Sequence, residues 1–374
     1  MRRRRYLAPL SWIYGGVVGL RNKLFDWEII PSESFALPVI AVGNITVGGT
    51  GKTPLTEYLI RLLKDDYKLA FLSRGYKRKT RGYVLADAGS TARTLGDEPF
   101  QVWKKFPDTH VAVDAKRRRG IRRLCEDTTT ADTEVVLLDD AYQHRHVTPG
   151  LSLLLMDYNR LPYDDAMLPA GSLREPFHQK RRADAVVITK CPANIRPIDY
   201  RLIQNRLSLL PYQRLFFTTI RYGALTPYAT GEEALSVRTL QSLTPETAIL
   251  LVTGIAAPQP LIEEMKKHTS NISLLTFPDH HDFTSADLQR ICHVWNAIQA
   301  TDRLIVTTEK DAARLLVLNR ASPAGRNPSP IESLKPHLYV LPIEVAFLKD
   351  QEKTFNHYIQ NYVRKNQRNS RVHS

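Results

Sequence analysis

The stretch Val42-Gly43-Asn44-Ile45-Thr46-Val47-Gly48-Gly49-Thr50-Gly51-Lys52-Thr53-Pro54 decides the fold. The apolar run Pro38–Val42 reads as a strand and Thr53–Leu63 as a helix, so a glycine-rich loop sits at a strand-to-helix junction. In that context backbone N–H groups turn inward around phosphate oxygens, an approach that side chains would block. The start of the helix adds its positive dipole end. Lys52 supplies a mobile cation for β- and γ-phosphates, and the Thr53 hydroxyl is placed to ligate Mg2+. The predicted nucleotide-binding residues are therefore Val47, Gly48, Gly49, Thr50, Gly51, Lys52, Thr53 and Pro54. The usual loop opens on a further glycine, and that position here is Thr46. The entry turn must differ, with Gly48 and Gly49 in its place.

Downstream, Val135-Val136-Leu137-Leu138 runs into Asp139-Asp140, an apolar strand ending in acid. At the carboxyl edge of a parallel sheet such acids face the ligand crevice. Asp139 is the predicted magnesium carboxylate, and Asp140 shares that work or orients an acceptor. Gly96-Asp97-Glu98-Pro99 leads into another helix. Asp97 is the candidate base that accepts a proton from an acceptor hydroxyl, with Glu98 helping to hold magnesium. The same two acids also suit an N-cap and a first helical turn. Pro278-Asp279-His280-His281-Asp282-Phe283 clusters two histidines with two acids. Such pairs are often surface polar groups; a histidine reaching across a cleft to Asp97 would strengthen that base and couple domain closure to chemistry.

From residue 38 on, apolar runs alternate with helical periodicity. Strands are predicted at Pro38–Val42, Lys68–Ser73, His110–Val113, Glu134–Leu138, Leu151–Met156 and Ala185–Thr189, with a second series from Ala248. The expected class is α/β: a P-loop NTPase-type parallel-sheet domain, a second and smaller α/β domain, and an N-terminal amphipathic helix. The expected boundaries are 1–30 for a membrane-interface helix, 31–213 for the P-loop domain and 214–245 for a linker. They continue with 246–346 for the second domain and 347–374 for a C-terminal helix and basic tail.

A length of 374 residues with 43% hydrophobic and 24% charged content fits two globular domains. Lysine and arginine outnumber the acids by 14, which favours a polyanionic partner: nucleic acid, anionic lipid or a phosphorylated substrate. No helix-turn-helix, zinc-finger, RNP or KH pattern supports nucleic acid. Cationic segments at Ser73–Arg78, Lys116–Arg119 and His144–His146 are candidates for holding an anionic acceptor, with a solvated face as the alternative for Lys116–Arg119. Three scattered cysteines without a CxxC pair argue against disulfides and zinc and suit a reducing compartment. Arg2–Arg5 precede the apolar stretch Leu7–Leu20, shorter than the roughly 20 residues that span a bilayer. An interfacial helix accounts for both, with Trp12, Ile13, Tyr14, Val17 and Leu20 entering the headgroup boundary and arginines meeting anionic lipid. Packing of that helix on the protein's own core is the alternative.

These segments resemble the tetraacyldisaccharide 4′-kinase family, the lipid A kinases of Gram-negative bacteria. The likeness rests on ordered motifs: Gly43-Asn44 with GGTGKTP (48–54), SRGYKR (73–78), GDEP (96–99), Asp139-Asp140 with Gln143-His144-Arg145, and LPAGSLREP (168–176). TGIA (253–256), FPDHHDF (277–283) and TEKDAARL (308–315) follow. Ala141-Tyr142 departs from the Gly-Phe more common there, which bears on where Asp140 points. The resemblance implies ATP-dependent phosphorylation, with Mg2+, of the 4′-hydroxyl of an anionic acylated glucosamine disaccharide 1-phosphate. The product is lipid IVA and the place of action the cytoplasmic face of the inner membrane. The motifs lead us to expect no nucleic acid, and no obligate protein partner is evident in the sequence. The resemblance also implies Asp97 as catalytic base with His280 or His281 as its partner, and it keeps Lys52, Thr53 and Asp139 in the roles above. Two rival classes are a membrane-bound P-loop switch and a nucleic-acid-dependent ATPase. For the first, Thr189-Lys190-Cys191-Pro192 faintly resembles a guanine-reading TKxD turn without its acid.

Overall fold

In the computed structural model, which describes residues 5–228, 236–279, 281–321 and 330–372, every apolar run predicted between residues 38 and 189 is a strand. In chain order the strands are β1 (Val39–Asn44), β2 (Leu69–Ser73), β3 (Val84–Leu85), β4 (His110–Val113), β5 (Val135–Asp139), β6 (Leu151–Asp157) and β7 (Ala185–Thr189). They continue with β8 (Arg214–Tyr222), β9 (Thr226–Pro227), β10 (Ala248–Thr253), β11 (Ile272–Thr276), β12 (Arg303–Thr308), β13 (Leu338–Leu341) and β14 (Ile343–Phe347). Nine form one sheet in the order β14-β8-β7-β6-β1-β5-β2-β4-β3. The pairs from β8 through β4 are parallel, and β3 closes that edge antiparallel to β4. Strand β1 is thus central, between β5 and β6, and the loop after it leaves from mid-sheet.

The near-continuous apolar character of these strands has a packing cause: helices cover both faces, so alternation is unnecessary. Every residue of β1, β2, β5, β6 and β7 is buried. On one face Ile40 and Val42 pack with Leu55, Leu59 and Leu63 of the helix Lys52–Leu63. On the other, Val39 and Ala41 pack with Ile121 and Leu124 of the helix Arg117–Glu126.

The chain divides into two compact units, and the division differs from the predicted one. The first takes residues up to Ser90, Val102–Arg221 and everything from Val345 on; the second takes Thr91–Gln101 and Tyr222–Glu344. The predicted linker begins with β8, whose Phe216 and Phe217 are buried beside β7. The C-terminal helix Gln351–Val372 is also no appendage. Phe355, Ile359 and Val363, spaced four apart on one stripe, are fully buried in the first core. The second unit has its own five-stranded sheet, β11-β10-β12-β13-β9, parallel except for β9 against β13. Its core gathers Leu250, Val252, Ile291, Trp295 and Ile305.

The N-terminal helix Ala8–Asp26 turns the usual amphipathic arrangement inside out. Two of its polar side chains face the protein: Ser11 Oγ accepts from Ala170 N at 2.9 Å, and Arg21 donates to the Gln143 carbonyl at 2.9 Å. Trp12, Ile13, Val17 and Leu20 are exposed, Trp12 by 76%. Tyr14 does not join them; its hydroxyl donates to the Arg174 carbonyl at 3.1 Å, so it faces the protein. Among the described residues no helix is long and apolar enough to cross a membrane.

Candidate active site

The loop after β1 has the backbone of a phosphate nest. Gly48 and Gly51 adopt φ +102° and +79°, which L side chains rarely reach, and Gly51 immediately precedes the helix Lys52–Leu63. No side chain caps that helix, so its first-turn N–H groups remain for a ligand. Thr46, at the missing glycine position, is buried and bridges to Leu173, while Val47 N donates to the Ser172 carbonyl at 2.8 Å. The entry turn is thus held by LPAGSLREP. Inside the loop, Asn44 Nδ2 donates to Thr50 Oγ1 at 2.8 Å.

The strand pairing of β1 with β5 brings the acids to this loop. Lys52 Nζ lies 3.3 Å from Asp140 Oδ1, and Arg174 Nη1 lies 3.3 Å from Asp140 Oδ2. Burial alone would raise the Asp140 pKa, but Lys52 and Arg174 outweigh it and hold the carboxyl below the usual range. Asp140 has φ +46°, an uncommon backbone for a side-chain-bearing residue. The exit to Ala141-Tyr142 needs glycine elsewhere: a Cβ on Gly43 would stand 2.7 Å from the Tyr142 nitrogen. Asp139 is buried at the end of β5, where its Oδ2 accepts from Ser73 Oγ at 3.3 Å. Thr53 in the first helical turn carries a hydroxyl, and Asp139 ends the strand beside β1 with a carboxylate, the two oxygen donors the sequence offers to Mg2+. Mg2+ commonly takes one or two carboxylates and completes its shell with phosphates and water, so this set fits it.

Several predicted anion-binding cations are committed to the framework instead. Arg117 is buried, donating to the Asp139 carbonyl at 3.1 Å and to the Asp114 carbonyl; burial lowers its pKa to about 10. Arg119 pairs with Asp114 at 2.7 Å, Arg78 donates to the Val113 carbonyl at 3.2 Å, and Arg145 pairs with Asp26 at 2.6 Å. His144 stays neutral: burial first, then Arg117 and Arg74, push its pKa down to about 4.

Asp97 and Glu98 open the helix Asp97–Lys105 and belong to the second unit, not to the P-loop unit where the sequence placed them. One arginine anchors Asp97 there. Arg314, nearly buried, donates to Asp97 Oδ2 through Nη2 at 2.7 Å and Nε at 3.1 Å. Arg314 also reaches Asp311 at 3.3 Å, and Asp311 accepts from Gly254 N at 2.9 Å and Thr308 Oγ1 at 2.8 Å. Lys310 Nζ contacts Asp279 at 3.1 Å. GDEP, TGIA, FPDHHDF and TEKDAARL therefore converge within one unit. His281 does not face Asp97 in this arrangement. Its Nε2 lies 2.9 Å from Asp287, which with Thr284 forms a capping box on the helix Ser285–Ala297, and its ring stacks on Phe277. His280 lies outside the described residues.

Comparison with known proteins bears directly on this constellation. The family model described as tetraacyldisaccharide-1-P 4′-kinase matches residues 3–364. The chain belongs to this family. A tetraacyldisaccharide 4′-kinase of Phocaeicola vulgatus is 52% identical over 366 residues, covering 98% of this chain and 97% of that protein. One from Bacteroides thetaiotaomicron is 53% identical over 370 residues, covering 98% and 95%. The crystal structure of an LpxK from Aquifex aeolicus in complex with ATP superposes with a TM-score of 0.71 at 26% identity, covering 96% of this chain and 99% of that one. The sequence reading named the loop and the two acids at the end of β5. It missed Arg314 and Asp311, although TEKDAARL carries both.

Proposed function

We propose that this chain transfers the γ-phosphoryl group of ATP to the 4′-hydroxyl of a tetraacylated glucosamine disaccharide 1-phosphate, the step that forms lipid IVA. The observation that carries this is an uncapped, glycine-built nest whose lysine stands beside the acids of the neighbouring strand, in a chain of this family. The loop N–H groups and Lys52 bind and orient the triphosphate. Thr53 and Asp139 would hold Mg2+; when bound, the ion would neutralise phosphate oxygens. Asp140, kept ionised by Lys52 and Arg174, orients the Lys52 ammonium. Asp97 accepts the proton of the acceptor hydroxyl, and the Arg314 guanidinium fixes the carboxylate's rotamer.

The exposed Trp12, Ile13, Val17 and Leu20 suit the boundary of an anionic bilayer, where an acylated acceptor resides, and support a peripheral seat at the cytoplasmic face. Incubation with γ-labelled ATP and the disaccharide in mixed micelles tests the whole assignment. Label should enter the lipid. Label released only as inorganic phosphate would favour a nucleotide switch.

A further inference from the structure

Backbone N–H groups of a phosphate nest face inward only if the intervening carbonyls face outward, where donors from neighbouring segments can hold them. Three carbonyls of this loop are met by side chains. Arg160 Nη2 donates to the Val47 carbonyl at 2.6 Å, the Lys190 ammonium to the Gly49 carbonyl, and Thr189 Oγ1 to the Thr50 carbonyl at 2.8 Å. All three donors come from the exits of β6 and β7, the strands next in line beyond β1. Lys190 is held from its other side by Asp157 Oδ2 at 2.8 Å, at the end of β6. Its φ of +57° marks a tight exit from β7. Arg160 also fills the space beside the loop: a Cβ on Gly48 would lie 2.8 Å from its Nη2.

We propose that Arg160 and Lys190, together with Thr189, form an outer brace that presets the loop for triphosphate. They are positioning residues, acting on the nucleotide through the loop's carbonyls, and the proposal rests on the phosphate-loop reading above. Thr189-Lys190-Cys191-Pro192 faintly resembles a base-reading TKxD turn, with Pro192 where the acid would stand. The Lys190 ammonium, however, is already committed to Gly49 and Asp157. The brace, not the base, is its task.

The test uses the full-length protein with inorganic tripolyphosphate as a base-free probe competing with ATP. In Lys190→Met and Arg160→Gln, the KM for ATP and the inhibition constant of tripolyphosphate should rise together, by roughly tenfold. The kcat at saturating ATP should stay within about threefold and the KM for the lipid acceptor should not move. Lys190→Arg and Arg160→Lys should recover most of the loss, and they keep the test available where a neutral variant does not fold. Unchanged tripolyphosphate inhibition with an altered preference between ATP and GTP would make Lys190 a base-reading residue and overturn the brace. So would a lowered melting temperature with both constants unchanged. Wild-type protein indifferent to tripolyphosphate would instead sink the phosphate-loop reading itself, and the brace with it.

Discussion

The phosphate loop and the Asp97 cluster are held in opposite ways. The loop is a local structure, built over a dozen consecutive residues and steadied by donors from neighbouring strand exits. Asp97 is held by an arginine 217 positions further along the chain, and that arginine depends in turn on Asp311 and the β10 exit at Gly254. In the function proposed, the first arrangement binds phosphates by backbone geometry, which tolerates little change of conformation. The second aims one carboxylate through a relay of charged hydrogen bonds. Changes to the loop should therefore alter nucleotide affinity, and changes to the Asp97 cluster should alter transfer at saturating nucleotide.

Removing the Lys52 ammonium should break the first region most severely. Lys52→Ala is expected to lower kcat by roughly 100-fold or more and to weaken ATP binding, read by initial rates and by calorimetry. Asp97→Asn sharpens the contrast. Its transfer rate should fall by about 100-fold while ATP affinity holds, as for loss of a general base; a collapse of ATP binding would make Asp97 a ligand of the nucleotide site. Arg314→Gln should cost less, about tenfold in kcat, because the carboxylate survives but loses its orientation. The double variant Asp97→Asn with Arg314→Gln should be little worse than Asp97→Asn alone, whereas strictly additive losses would show that Arg314 acts elsewhere.

The effect furthest from turnover is on stability against pH. His144 titrates near 6.5 when unfolded but only at about 4 when folded. Between those values the unfolded chain binds a proton that the folded chain does not, so stability falls as pH drops through the window and levels off below it. The loss is at most about 3 kcal/mol. The urea midpoint of His144→Gln, subtracted from that of the parent protein, should change with the same sign over that window; a constant difference would mean that His144 is protonated in the fold.

The same contrast explains what was legible in the sequence. Glycines, the GKT triplet and fully apolar strands act over short stretches, so the loop, the Asp139-Asp140 strand end and the parallel sheet could be read directly. Arg314 could not be tied to Asp97, because only tertiary packing brings residues so far apart together. For that reason Asp97 was placed with the wrong unit. The buried Arg117 defeats composition in a similar way: an arginine run reads as a solvated face until Asp114 and the β5 exit give one of its members carbonyls to bond. The N-terminal helix carried its signal in exposed apolar residues, and Tyr14 was misread because its hydroxyl finds a buried-side carbonyl.

The position of the transferred phosphate tests the central claim most directly. Phosphorus NMR of the lipid recovered after reaction with ATP should show a second phosphomonoester on the 4′ oxygen, formed by the parent protein and scarcely by Asp97→Asn. A lipid still carrying only its original phosphate, with ATP consumed to ADP and free phosphate, would contradict it.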